Sequence, residues 1–334
     1  MQLRSFKRAC LTALVITLGG TMHAQYLWDV GVHLGGSNYL GEMGGKEKTR
    51  RDFVWDMKLG QTRWALGVFG RRKLNRSWSV SAGLMYLRIQ GADALSTNPA
   101  RVGRNLNFRN DMFELYARPE FTIYQDNDVG GRGRYRLDFR LFAYVGAALF
   151  YQAPKGQIDR QGSFYDLQPL ETEGVHYSKF GFGVPMGFGF HFTKNRRHRF
   201  GFDLGWRLTF TDYLDDASTK YVDLSGADPT TQDLANQRPF LDDVDPNTSG
   251  DQVQTADGTI VTVPSIYQYG YWDTPGTDSK PSENKRGDPT HNDNYLTMTL
   301  TYSYVLKGQS NFYRQRYSWI RGKKRIGRKS RAKF

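Results

Sequence analysis

The stretch from Arg199 to Asp216, RFGFDLGWRLTFTDYLDD, constrains this chain more than any other, because its side chains alternate in character with a period of two. In an extended strand Phe200, Phe202, Leu204, Trp206, Leu208 and Phe210 share one face, while Gly201, Asp203, Gly205, Arg207, Thr209 and Thr211 share the other. A helix would scatter the apolar side chains around its circumference and would carry glycines costing roughly 1 kcal/mol each. The apolar face is large and aromatic, and the opposite face holds Asp and Arg. That combination suits a transmembrane β-barrel strand, apolar toward lipid and polar toward the lumen over about ten residues.

The same alternation recurs along the chain. A first strand is expected at about 26–36, a second at about 62–71, a third from Trp78 to Tyr86 and a fourth from Phe113 to Ile123, where Pro119 predicts a bulge or distortion. A fifth follows at about 136–152, where both faces become apolar in the upper half. A sixth runs from Phe180 to Phe192, the seventh is the opening stretch, and the eighth runs from Leu296 to Leu306. Eight is an even number, as a closed bacterial barrel requires. Short connections after strands two, four and six alternate with long ones after one, three, five and seven, which predicts periplasmic short turns and periplasmic termini. The expected fold class is therefore all-β: an eight-stranded antiparallel outer-membrane barrel with a filled lumen, since eight strands leave room only for side chains.

Average hydropathy hides this design. The mean hydropathy is −0.62, a soluble-looking value that arises because only every second strand residue is apolar. Residues 1–24 read as a secretory signal peptide cut before Gln25: Arg4, Lys7 and Arg8 precede the apolar run Ala9 to Leu18, and Ala24 ends the segment. The single cysteine, Cys10, falls inside it, so the mature chain has no disulfide, thiolate metal site or cysteine nucleophile. No stretch approaches the length of a spanning helix, and a closed barrel is the other way to satisfy the backbone in lipid.

The inward candidates Asp29, Arg63, Glu114, Arg118, Glu120, Asp138, Arg140, Asp203 and Arg207 carry both signs, and buried charges persist only when paired. They are expected to form a structural ion-pair network. The remaining charge is sorted by segment. The 334 residues carry a net +13, which becomes +10 without residues 1–24. Within the barrel region, 25–306, lies a long outward insertion, 212–294, with 16 acidic and 5 basic residues and no visible core. The tail, 307–334, holds 11 Lys or Arg and no acid. Its Arg314, Arg316, Tyr317, Trp319, Arg321, Lys323, Lys324 and Arg325 have the character of interface anchors for a periplasmic partner or for anionic lipid headgroups. Nucleic acid is not expected behind a signal peptide.

Chemistry-bearing motifs are sparse. Asp243, Asp245, Asn247, Ser249 and Asp251 have the alternate oxygen spacing of a calcium loop, although Gln254 stands where a bidentate Glu belongs. His176 and Ser178 lie together at one rim with no acid evidently placed to orient the imidazole. The glycine cluster Gly130 to Arg134 precedes no helix and does not form a phosphate cradle. No catalytic residues and no cofactor are expected.

Four stretches, QYLWDVGVHLGGSNYLGEMG (25–44), TNPARVGRNLNFRNDMFEL (97–115), FTDYLDDASTKYVD (210–223) and RGDP followed by NDNYLTMTLTYSY (286–304), resemble the PorG-like outer-membrane barrel component of the type IX (Por) secretion system of Bacteroidetes. The resemblance implies a non-enzymatic anchor that holds a periplasmic ring of lipoprotein and partner subunits, PorK and PorN, at the outer membrane. The alternative expectations are a small lipid-active barrel enzyme, or a surface adhesin that uses the acidic loop.

Overall fold

The computed structural model describes residues 28–41, 43, 59–96, 99–127, 129, 137–237, 240, 252–254, 258, 260–262, 286–287 and 289–306. Eight long strands dominate: β1 (Trp28–Leu40), β2 (Arg63–Lys73), β3 (Trp78–Ala92), β4 (Asn107–Asp126), β5 in two segments (Leu137–Val145 and Ala147–Tyr151), β6 (Phe180–Lys194), β7 (His198–Thr209) and β8 (Asn294–Leu306). Each pairs antiparallel with its chain neighbours. The last returns to the first in an unbroken register from Trp28↔Leu306 to Leu40↔Asn294. The ladder closes into a ring, so along the paired registers the strands' backbone groups find partners without water. Among the described residues no helix is long and apolar enough to cross a membrane.

Closure forces each strand to have an inside and an outside, and the alternation decides which is which. Trp64 (66% exposed), Phe182 (64%) and Leu300 (65%) point outward, as do Val30, Val32, Leu34, Val68, Phe113 and Leu115. At alternate positions of the strands Asp29, His33, Glu114, Arg118, Asp203, Arg207, Thr297 and Thr299 are buried inside. An apolar exterior around a charged interior is the reverse of a water-soluble barrel.

The lumen is filled rather than hollow, and two devices fill it. On β5 the second apolar face turns inward: Phe142, Tyr144, Ala148 and Phe150 are buried. Glycines on β6 make room for these rings. A Cβ on Gly189 would lie 2.8 Å from the Phe142 ring, and one on Gly181 would lie 2.5 Å from the Phe150 ring. At the long-loop end the filling is apolar, with Met85, Leu87, Ile89, Met112 and Phe150 packed against Leu214 and Ala217 from the connection after β7. The inward face is therefore not uniformly polar, because loops close this end and keep it dry.

Several boundaries differ from the sequence reading. The third and fourth strands run on to Ala92 and back to Asn107, with Gln90↔Arg109 and Ala92↔Asn107 paired, so the expected loop there shrinks to a cap-forming link containing α1 (Pro99–Arg104). Pro119 faces outward in a continuous pairing with Val80, and the register shift lies between Thr122 and Tyr124. The break in β5 falls at Gly146, whose N–H bonds to the Pro185 carbonyl at 2.8 Å.

Gly181→Ala would press a methyl into the Phe150 ring, an overpacking cost of about 1–3 kcal/mol. Its destabilisation, read as a lowered unfolding temperature in heat-modifiability gels, is expected to shrink when Phe150→Leu is combined with it; a fully additive double variant would refute the contact.

Candidate functional site: a charged lumen under an interlocked cap

The lumen charges form a ladder across strands. At the short-turn end Arg199 meets Asp29 at 2.8 Å, and Asp29 also receives Arg71 at 3.4 Å. Arg71 reaches Glu120 at 2.8 Å, and Glu120 lies 3.7 Å from Arg118. Arg118 then joins Asp203, which also accepts the Tyr144 hydroxyl at 2.6 Å. One layer higher, Arg207 straddles both oxygens of Glu114 at 3.2 and 3.3 Å, and the Tyr295 hydroxyl donates to the same carboxylate at 2.6 Å. His33 sits between the layers, 2.9 Å from the Tyr116 hydroxyl and 3.2 Å from Thr299. Both members of each ion pair in the ladder are buried or nearly so, which keeps the Coulomb attraction unscreened and makes loss of one partner costly.

Of the residues singled out in the sequence, Asp29, Glu114, Arg118, Glu120, Asp203 and Arg207 meet in this ladder. Arg63 does not: it lies at the rim and donates to the carbonyls of Gly60 and Thr62 at 3.0 and 2.8 Å. Arg140 points inward but bonds the hydroxyls of Thr122 and Ser79 rather than a carboxylate. Asp138 lines the lumen mouth and forms no ion pair among the described residues. Arg71 and Arg199 join the ladder although the sequence does not single them out. Both stand at inward positions of the alternation, yet Arg71 is followed by Arg72 and Lys73, and three consecutive basic residues at a strand end mask its parity.

Above the lumen, the long connections interlock into a cap. Asp93 holds Arg104 through two contacts of 2.7 and 2.9 Å and accepts the Leu106 N–H. Arg104 in turn donates to the Arg286 carbonyl. Arg286 pairs with Glu173 at 2.9 Å and with Asp216 at 3.5 Å, and Glu173 also accepts the backbone N–H groups of Ser218 and Thr219. Asn110 donates to the Leu214 carbonyl at 2.8 Å. The Tyr39 hydroxyl reaches Asp215 at 2.7 Å and also contacts Asp293. Gly287 is required here, because a Cβ would lie 2.5 Å from the Ser218 backbone. The start of the 212–294 insertion is therefore not a solvated loop. Leu214, Ala217, Tyr221, Leu234 and Ala235 are buried in the cap, and so are Asp212, Asp215 and Asp216.

Burial governs the cap's titration. It raises Asp215 to about 7 against the hydrogen bonds from Tyr39 and Ala217 that favour its anion. Burial also raises Asp216, despite Arg286 nearby, and pushes Tyr177 up with the help of the Asp216 charge 2.6 Å away. Burial alone would lower Arg286, but Glu173 and Asp216 hold it above its ordinary value.

At the rim His176 does have an acid, Glu171, at 2.9 Å, but both are exposed, and the Ser178 hydroxyl accepts the Phe180 N–H instead of facing the imidazole. The calcium-loop candidates Asp243, Asp245, Asn247, Ser249 and Asp251, the tail residues Arg314 to Arg325 and the signal segment 1–24 lie outside the described residues.

Loss of a lumen partner and titration of the cap each have a measurable consequence. Arg207→Met would strand the Glu114 carboxylate and is expected to cost about 3–5 kcal/mol; adding Glu114→Gln should recover most of it in a denaturation midpoint, and no recovery would contradict the pairing. For Asp215 the folded pKa is raised above the unfolded one, so the folded cap binds more protons between the two values. The stabilisation is fully present below the ordinary carboxylate pKa and is lost as pH rises through about 7. Amide exchange of residues 210–221, corrected for the intrinsic pH dependence of exchange, should therefore speed up between about pH 4 and pH 7 in the native chain. Asp215→Asn should flatten that trend; a trend of opposite sign would contradict the assignment.

No curated protein matches the chain. Among solved structures it is similar to Ail, the attachment invasion locus protein of Yersinia pestis, crystallised in complex with the heparin analogue sucrose octasulfate. The identity is 9%, the match covers 84% of this chain and 97% of that one, and the TM-score is 0.27. It is also similar to a major outer membrane protein from Thermus thermophilus, at 12% identity over 84% of this chain and 99% of that one, with a TM-score of 0.32. Residues 7–226 match a family defined by sequence, and the chain belongs to that family, described as "Domain of unknown function (DUF6089)".

Proposed function

We propose that this protein is a non-enzymatic, cofactor-free anchor in the outer membrane that serves a type IX protein secretion machinery, with its short turns and both termini in the periplasm. The observation that carries this reading is the convergence of the stretches behind the family resemblance. Residues 25–44 contribute Tyr39, residues 97–115 contribute Arg104 and Asn110, residues 210–223 contribute Leu214, Asp215 and Asp216, and residues 286–304 contribute Arg286 and Asp293. These are distant in the chain yet they bond one another in a single buried assembly, so the resemblance concerns one structural unit rather than scattered matches.

Two further features support an anchor. Among the described residues the lumen is crossed by ion pairs and filled by the Met85, Leu87 and Phe150 packing, which favours a plugged barrel over a pore. The chain leaves β8 at Leu306, at the short-turn end, and in this reading the basic aromatic segment that follows meets periplasmic ring subunits of the PorK and PorN type, with Tyr317 and Trp319 as anchors and the neighbouring Arg and Lys as steering charges. A second reading, a surface adhesin, draws on the ordered cap, which presents a built surface at the opposite end.

Deleting residues 307–334 tests the anchor. The truncated barrel is expected to reach the outer membrane and keep its heat-modifiable mobility, while recovery of the ring subunits with it falls at least about tenfold. Unchanged recovery would remove the tail from the mechanism.

A further inference from the structure

The short-turn mouth of the barrel holds an excess of positive charge that the lumen ladder does not use. A cavity of about 280 Å³ opens there, lined by Lys73, Asp138, Arg140, His191, Arg196 and Arg199 among others. Four of those six are permanent or near-permanent cations and one is a carboxylate. Arg199 is already engaged by Asp29. Arg140 is 95% buried and its guanidinium reaches only the hydroxyls of Thr122 and Ser79, so among the described residues it has no carboxylate partner for its charge. His191 is also buried, and its Nδ1 has no hydrogen-bond partner among the described residues. Buried polar groups are ordinarily satisfied, and a buried guanidinium ordinarily has an anion. Two such exceptions line one open cavity.

We infer that this mouth is a binding site for a phosphate group, either free inorganic phosphate or the phosphate of a lipid headgroup. The donors arrive from different strands: Lys73 from the end of β2, Arg140 from β5, His191 from β6 and Arg199 from β7. A tetrahedral ion with several acceptor oxygens can meet convergent donors, and guanidinium forks match phosphate oxygens in pairs. A carboxylate presents fewer oxygens and less charge to the same ring of donors. The cavity accommodates a phosphate and its first attached group but not a folded partner. The inference stands on this geometry and is independent of the secretion reading.

Titration calorimetry on the full-length barrel in a maltoside detergent, with inorganic phosphate as the probe, tests it. One phosphate per barrel is expected. Arg140→Gln and Lys73→Gln should each weaken binding at least about tenfold; Lys73 is only partly buried at the end of β2, so its variant reports even if the Arg140 variant does not fold. Arg72→Gln, on the outer wall over the Trp28 ring, should leave binding unchanged. Repeating the titration in discs of phosphatidylcholine with or without phosphatidic acid separates the sources: loss of phosphate binding only in the phosphatidic acid discs assigns the site to a lipid headgroup, and persistence in both assigns it to free phosphate. Absence of binding in detergent and in both discs, equal binding by all three variants, or tighter binding of a glutamate-rich peptide than of phosphate would overturn the inference.

Discussion

The structure depends on the pairing of β8 with β1. Thirteen consecutive residue pairs, Trp28↔Leu306 through Leu40↔Asn294, join the two ends of the sheet. Once the sheet closes, no strand has an edge, and each side chain must point to the lumen or away from it. A single residue of slip would carry Trp64, Phe182 and Leu300 into the lumen and Arg207 and Asp203 onto the outer wall. The register and the alternation therefore enforce each other. The charged ladder can exist because the wall is closed, and the apolar exterior is tolerable because lipid rather than water meets it.

The interior divides by depth. Near the short turns the filling is ionic, running from Arg199 through Asp29, Arg71, Glu120 and Arg118 to Asp203. Near the long loops it is apolar, and then polar again in the cap, where Arg104, Arg286, Glu173 and Asp216 tie separate connections together. Buried ion pairs contribute little net stability compared with well-packed apolar groups, but breaking one is expensive. A barrel filled in this way resists rearrangement, because any shift of one strand would leave several buried charges unpaired at once.

The strands were legible in the sequence because membrane exposure leaves a period-two record: β7 and β8 alternate almost without interruption. The lumen was partly legible for the same reason, since an acid or base opposite a run of aromatics has only one place to go. Arg71 was hidden because its neighbours Arg72 and Lys73 blurred the alternation, and Arg63 was misplaced because a strand end at the rim offers backbone carbonyls instead of carboxylates. The upper half of β5 was ambiguous because both faces are apolar, and only the glycines paired with them on the neighbouring strand β6 explain where Phe142 and Phe150 go. The cap was hardest to see. Its contacts join residues more than a hundred positions apart, such as Asn110 with Leu214 and Arg104 with Arg286, and composition made the same segments look like solvated loop.

Which wall faces lipid decides whether this barrel spans a membrane. The most direct measurement places single spin labels on the reconstituted barrel at Trp64, Phe182 and Leu300, and at their inward neighbours Ala65, Gly183 and Thr299, then compares collision with oxygen, which concentrates in the bilayer, against collision with a water-soluble nickel chelate. The first set should be accessible to oxygen and shielded from nickel, and the second shielded from both. Nickel reaching positions 64, 182 and 300, with oxygen excluded, would show that the apolar wall meets water and would contradict the membrane barrel.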